Sequence, residues 1–155
     1  MLLRIAEAVA ATPFAGWAAA SPQAYPAANV LHLLGLVLLI GGIGLIDLRL
    51  LGAFSKLPLR SLAEALTPLG IAGVLILMAS GSVMFAADAV ALAKSDTFQI
   101  KLVLIGIALL NAIAFRILYR RLDAAPPAAP ARLMALVSLA LWLSVATYGR
   151  LIAYS

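Results

Sequence analysis

The sequence contains no cysteine, which removes disulfides, thiolate metal sites and covalent c-type haem attachment from consideration. Charge is nearly as scarce: Asp, Glu, Lys and Arg together make up 11% of the 155 residues, and only six are acidic. Histidine occurs once, at position 32. A soluble domain is about a quarter charged, so this shortage already argues against a water-facing surface. A zinc centre needs three or four N, S or O ligands, which one histidine among so few acids does not supply. A serine–histidine–acid hydrolase is equally unsupported, because no serine or carboxylate stands at triad spacing from His32.

Apolar residues fill the remainder. They account for 65% of the chain, and the mean hydropathy is +1.12. Net charge is +5. The basic residues lie at the ends of apolar runs and not in a stripe interleaved with aromatics, so they read as membrane-topology charge and exclude nucleic acid as a partner.

A bilayer crossing takes about 20 apolar residues. Four segments meet that length, at about 27–51, 62–87, 98–119 and 131–152. The expected fold is therefore all-α: an integral-membrane, four-transmembrane-helix up-down bundle with short connections. "DAAPPAAPAR", between the third and fourth spans, reads as a loop because Pro126 and Pro127 bar a helix. Residues 1–25 form a separate N-terminal segment, broken at Pro13 and carrying Arg4, Glu7, Phe14 and Trp17. It is read as an interfacial amphipathic helix in which Arg4 and Glu7 pair, with a cleaved signal peptide ending near "AAAS" as the alternative.

Arg49, Lys56, Arg60, Arg116, Arg120, Arg121 and Arg132 fall on one side of this arrangement, and Arg4, Lys94, Lys101 and Arg150 on the other. The excess of basic residues marks the cytoplasmic side. That places the chain in the bacterial inner (cytoplasmic) membrane as a multi-pass protein with both termini periplasmic.

On a helical wheel His32, Gly35, Leu36, Leu39, Gly42, Ile43 and Ile46 share a face of the first span, with Asp47 at its margin. Gly70, Gly73, Leu77, Ser80 and Met84 line a face of the second. These glycines allow either close helix packing or room for a flat ligand. The polar groups form two layers. His32, Met84, Lys101, Tyr148 and Arg150 lie in the outer half, whereas Asp47, Arg49 and Arg116 lie at the inner end, where Asp47 and Arg116 are expected either to pair across helices or to meet lipid headgroups.

An ionisable side chain inside a span marks a functional site by default. Haem asks little of a protein: one imidazole for an axial bond, an apolar surround and cations near the propionates. His32 is thus the candidate iron ligand of a haem b, with Lys101 and Arg150 as propionate partners and Gly35, Gly42 and Gly73 giving the ring room. Met84 is the candidate second ligand. The alternatives are His32 from a second chain, in a homodimer or larger homo-oligomer, or five-coordinate iron.

The first-span sequence "LHLLGLVLLIGGIGLIDLRLLG" resembles a largely uncharacterised family of small bacterial four-helix membrane proteins sharing the pattern "YP…NVLHLLG…DLRLLG". More distantly the chain is similar to HemJ-type protoporphyrinogen IX oxidases and to CopD-type copper-resistance domains. The HemJ-like features are His32 through Arg49, Thr67–Pro68 followed by Ser80–Gly81, and Phe98 ahead of Lys101 in "FQIKL". This resemblance implies a b-type haem with His32 as axial ligand and Lys101 as an essential cation. The chain departs from that type in two places: Ser95 and Asp96 stand where it carries a basic residue, and "LWLSVATYGR" stands in place of its Asn-Glu-Val-Pro region.

The functional expectation is a haem-b-binding inner-membrane protein in electron transfer or membrane redox chemistry, working with a redox partner or quinone. Its rivals are a non-enzymatic subunit packed in a larger complex or homo-oligomer, and a CopD-like copper permease using Met78 and Met84.

Overall fold

The computed structural model describes residues 1–119 and 129–152. Every regular element among these residues is helical: α1 (Leu2–Ala10), α2 (Pro13–Ala20), α3 (Ala24–Leu39), a π-turn (Ile40–Gly44), α4 (Leu45–Leu50), α5 (Leu59–Ala87), α6 (Ala89–Lys94), α7 (Asp96–Leu118) and α8 (Ala129–Leu151). Four helices are long and apolar enough to cross a membrane: Ala24–Leu50 (α3 through α4), α5, α7 and α8. Val30, Val37, Leu75, Leu110, Leu118 and Leu133 stand exposed on their outer surface. In water that surface would be a liability, whereas a bilayer covers it without cost.

Helix ends follow local chemistry. Thr12 caps α2, its hydroxyl accepting from the Ala15 N–H, and Pro13 fills the first position, where the missing N–H has no partner to lose. Ser95 caps α7 in the same way through the Phe98 N–H. After α4 the chain closes a Schellman motif, with Gly52 N–H donating to Arg49 O and Ala53 N–H to Leu48 O. Gly52 takes φ +111 there, a conformation that favours glycine. Pro130 sits in the first turn of α8, so this helix starts slightly earlier than the proline-rich pattern suggests. The proline loop itself lies in residues 120–128, outside the described residues.

The first pair of long helices is joined backbone to backbone. A Cβ placed on Gly73 would meet Leu39 N at 2.6 Å and Gly35 O at 2.7 Å, and one on Gly42 would meet Gly70 N at 2.8 Å and Leu66 O at 2.9 Å. Contacts therefore descend α5 as they ascend α3, so the two run antiparallel. In a bilayer, where lipid as apolar as leucine gives no hydrophobic drive between helices, close van der Waals contact of this kind through small residues is what joins them. The expectation of room for a ring beside Gly35, Gly42 and Gly73 is corrected here, because the opposing backbone fills that space.

Helices α7 and α8 form the second antiparallel pair, with Asn111 Nδ2 donating to Met134 O at 3.1 Å. Leu39, Ala108, Trp142 and Val145 make the buried cluster where the two pairs meet. Backbone approach between the pairs is closest at one end, where the π-turn and α4 run against α8. Towards the His32 end the pairs meet through side chains, among them the stacked rings of Phe85 and Phe98.

The N-terminal residues form two short helices and not one. Ala6 of α1 packs on Ala89 and Ala93 of α6, and Ala15 and Ala18 of α2 pack on Ala86 of α5. Arg4 and Glu7 are both exposed, and the one ion pair within the described residues is Arg60–Glu64 at 2.9 Å, so the expected Arg4–Glu7 pair does not form.

Two alanine substitutions test the glycine contact with opposite signs. Gly73→Ala forces a methyl group into backbone and is expected to destabilise the bundle by about 1–3 kcal/mol. At Gly106 a Cβ meets nothing within 4 Å, so Gly106→Ala is expected to be neutral or slightly stabilising. Thermal unfolding in a single detergent compares them.

Candidate functional site

His32 lies two turns into α3, half-buried, with its imidazole turned to α5. Its Cε1 is 3.4 Å from where a Cβ on Gly81 would stand, so the ring lies in van der Waals contact with the Gly81 position. The neighbouring Ser80 holds it: Nδ1 and Ser80 Oγ are 2.9 Å apart. Ser80 Oγ also lies 2.6 Å from the Ile76 carbonyl oxygen. Two oxygens that close need a proton between them, and only the serine hydroxyl has one to give. Ser80 therefore donates to Ile76 and accepts from His32, which fixes the neutral imidazole with Nδ1 protonated and Nε2 carrying the free lone pair. Metal-binding histidines are commonly oriented in this way, one nitrogen tied to the protein and the other presented.

Lys101 comes from the first turns of α7. Its Nζ is 3.2 Å from the Cβ position of Gly149 on α8, so the absent side chain seats the ammonium. Lys101 lies close enough to bear electrostatically on His32. No carboxylate among the described residues pairs with it. Phe85 and Phe98 stack at 5.6 Å, joining α5 to α7 at this same end.

The remaining predicted residues fall in three places. Met84 is half-buried one turn beyond Ser80 on α5. Arg150 follows Gly149 and is exposed at the end of α8. Gly35, Gly42 and Gly73 lie deeper, in the α3–α5 seam. The structure thus brings His32 and Lys101 to one end of the bundle, and it leaves the glycines deeper in the α3–α5 seam. Ser80, Gly81 and Gly149 are the residues whose parts sequence reading misses. Ser80–Gly81 stands out as a motif, but the hydrogen bond across helices has no signal in spacing along one chain.

Beside Ser80, on the flank covered by α2, lies an apolar groove of about 410 Å³ between Trp17, Ala28, Leu31, Ala79 and Val83. Its lining suits a lipid or isoprenoid chain. His32 does not line it, so it is not the place for a ring bound through that imidazole.

At the other end of the bundle Asp47 is 6% exposed, and the polar group that meets it is the Ser138 hydroxyl on α8. Arg116 is exposed and forms no ion pair with it, which corrects the expected Asp47–Arg116 pair. The π-turn is the reason. It holds one residue more than an α-turn and so turns everything after it by roughly 100°. Asp47, at the margin of the face on a straight helix, is brought round into the contact with α8. Among the described residues no three His, Cys, Asp or Glu side chains gather as a metal-binding group.

The chain belongs to a family described as a family of unknown function (DUF6644), whose model matches residues 9–155. No curated protein and no solved structure matches it.

Because the chain has one histidine, ¹⁵N NMR reads its tautomer directly. The neutral ring of the protein without added ligand should show a protonated Nδ1 and an unprotonated Nε2. Ser80→Ala should yield a mixture of tautomers.

Proposed function

We propose that this DUF6644 member is a bacterial inner-membrane protein that binds haem b for electron transfer or membrane redox chemistry. The observation behind the reading is the His32–Ser80–Ile76 hydrogen-bond chain, which keeps Nε2 available as a ligand in an apolar surround. Haem, when bound, supplies one-electron redox chemistry. The residues of this chain do the rest. His32 is the iron ligand through Nε2, and Ser80 holds its ring orientation and tautomer. Lys101, which pairs with no carboxylate among the described residues, offers charge to a propionate, and Arg150 offers a second cation nearer the surface.

The donor set fits that role, whereas backbone closes the space between α3 and α5, so a ring would need room on the side of His32 facing α7 and α8. Met84, half-buried at that end, is the second-ligand candidate, and a homodimer sharing two His32 side chains is the alternative. The excess of Lys and Arg at the Asp47 end supports an orientation with both termini periplasmic. The groove beneath α2 offers a quinone partner a seat for its isoprenoid tail.

The closed glycine seam favours a second reading, a non-enzymatic subunit whose helices pack for their own sake or against a partner. A CopD-like copper path has less behind it, since Met78 is exposed while Met84 is half-buried, and the two do not line one route.

Protein purified in mild detergent after expression with haem supply should carry a Soret band, and dithionite should sharpen its visible bands. His32→Ala should lose the chromophore, and Lys101→Ala should weaken haem retention. Absence of any Soret band, with His32→Ala altering only stability, would leave the subunit reading standing alone.

A further inference from the structure

Asp47 is the buried acid that the redox reading leaves unused. Its Oδ2 is shut away from solvent and has no hydrogen-bond partner, and the Ser138 hydroxyl that meets the carboxyl is itself only 5% exposed. A carboxylate offers about four acceptor positions, and one serine hydroxyl can serve only one of them. Among the described residues, the elements packed around Asp47 bring no positive charge to it. On α4 itself, Arg49 spends its guanidinium on the loop, Nε donating to Leu57 O at 2.7 Å and Nη2 to Ser55 O at 3.0 Å. On α5, Arg60 is exposed and bonded to Glu64. Arg116 on α7 and Arg132 on α8 are both exposed. Ile46, Leu50 and Ala135 close the surroundings.

A lone negative charge in such a place would cost far more than one hydroxyl returns. Something must complete the site, and the choice lies between a proton and a small cation. Hard cations take six or more oxygen ligands or keep several waters. Asp47 and Ser138 offer a carboxyl and a hydroxyl, enough for a proton alone.

We propose that Asp47 and Ser138 form a proton-binding site at the basic end of the bundle, and that the bound proton holds α4 against α8. This contact is where the two helix pairs approach most closely, so removing the proton loosens their junction. The site stands apart from His32 and does not depend on whether haem is bound.

Dicyclohexylcarbodiimide tests the site in the full chain, in detergent or lipid. This apolar reagent reacts with protonated carboxyls. The acid adds across one C=N bond, its proton passing to nitrogen, and the acyl group then migrates to nitrogen to give a stable N-acylurea with nothing lost. Mass spectrometry should find the adduct on Asp47 at mildly acidic pH, with none on exposed Glu64. Labelling should fall about tenfold per pH unit once the site deprotonates. Sodium should not protect it. Stability bound up with the proton is lost as rising pH removes it, so thermal stability should decline with pH in the wild type and much less in Asp47→Asn. Ser138→Ala keeps the carboxyl and should still label, which covers the case of an Asp47→Asn variant that does not fold. An unlabelled Asp47 at every pH would overturn the proposal. Protection by sodium would overturn it in favour of a cation site.

Discussion

The close contact of α3 with α5 is the constraint on which the rest of the bundle depends. Gly35 and Gly42 face Gly73 and Gly70 so tightly that a methyl group on Gly73 or Gly42 would collide with backbone. Within a membrane this proximity takes the place of the hydrophobic drive that assembles soluble bundles. It also sets the register of the two helices. With Gly35 against Gly73, the antiparallel run brings His32 level with Ser80 and Gly81. The polar pair at the mouth of the seam is thus a consequence of the glycines below it.

The second consequence concerns the other end. A straight first helix cannot follow α5 through these glycines and also offer Asp47 to α8. The π-turn over "IGGIG" reconciles the two demands, since an extra residue in the turn rotates α4 about the helix axis. Its side-chain-poor composition makes such a turn cheap. One helix therefore serves two partners, α5 along its whole length and α8 through its last turns as well. Backbone contact joins the two pairs at the Asp47 end, and side chains such as Phe85 and Phe98 join them at the His32 end.

Much of this architecture is legible in the sequence, and the reasons are physical. The four long helices begin and end within a few residues of their expected limits, because bilayer thickness demands a length that hydropathy displays directly. The glycine faces are legible as faces. Their meaning is not, since packing and cavity leave the same trace in one sequence. His32 and Lys101 stand out because ionisable groups inside spans are rare. The Ser80 hydrogen bond, the seat of Lys101 on Gly149 and the Asp47–Ser138 contact are beyond reach, because each joins two helices whose relative rotation no single-helix wheel contains. The Asp47–Arg116 expectation fails for a related reason, as it assumes an unbroken α-helix where the glycine run widens the turn. The short helix α6 escapes notice because six residues rich in alanine carry no period to read.

Glycine contacts between α3 and α5 can be measured without any substitution. Glycine-selective ¹³Cα labelling of the protein in lipid, followed by carbon–carbon correlation in solid-state NMR, reports which of the 11 glycines lie against one another. Cross-peaks joining Gly35 to Gly73 and Gly42 to Gly70, with none from Gly106 to any of these four, are the predicted result. A spectrum in which neighbours along the chain such as Gly41 and Gly42 correlate while both interhelical pairs stay silent would contradict the account.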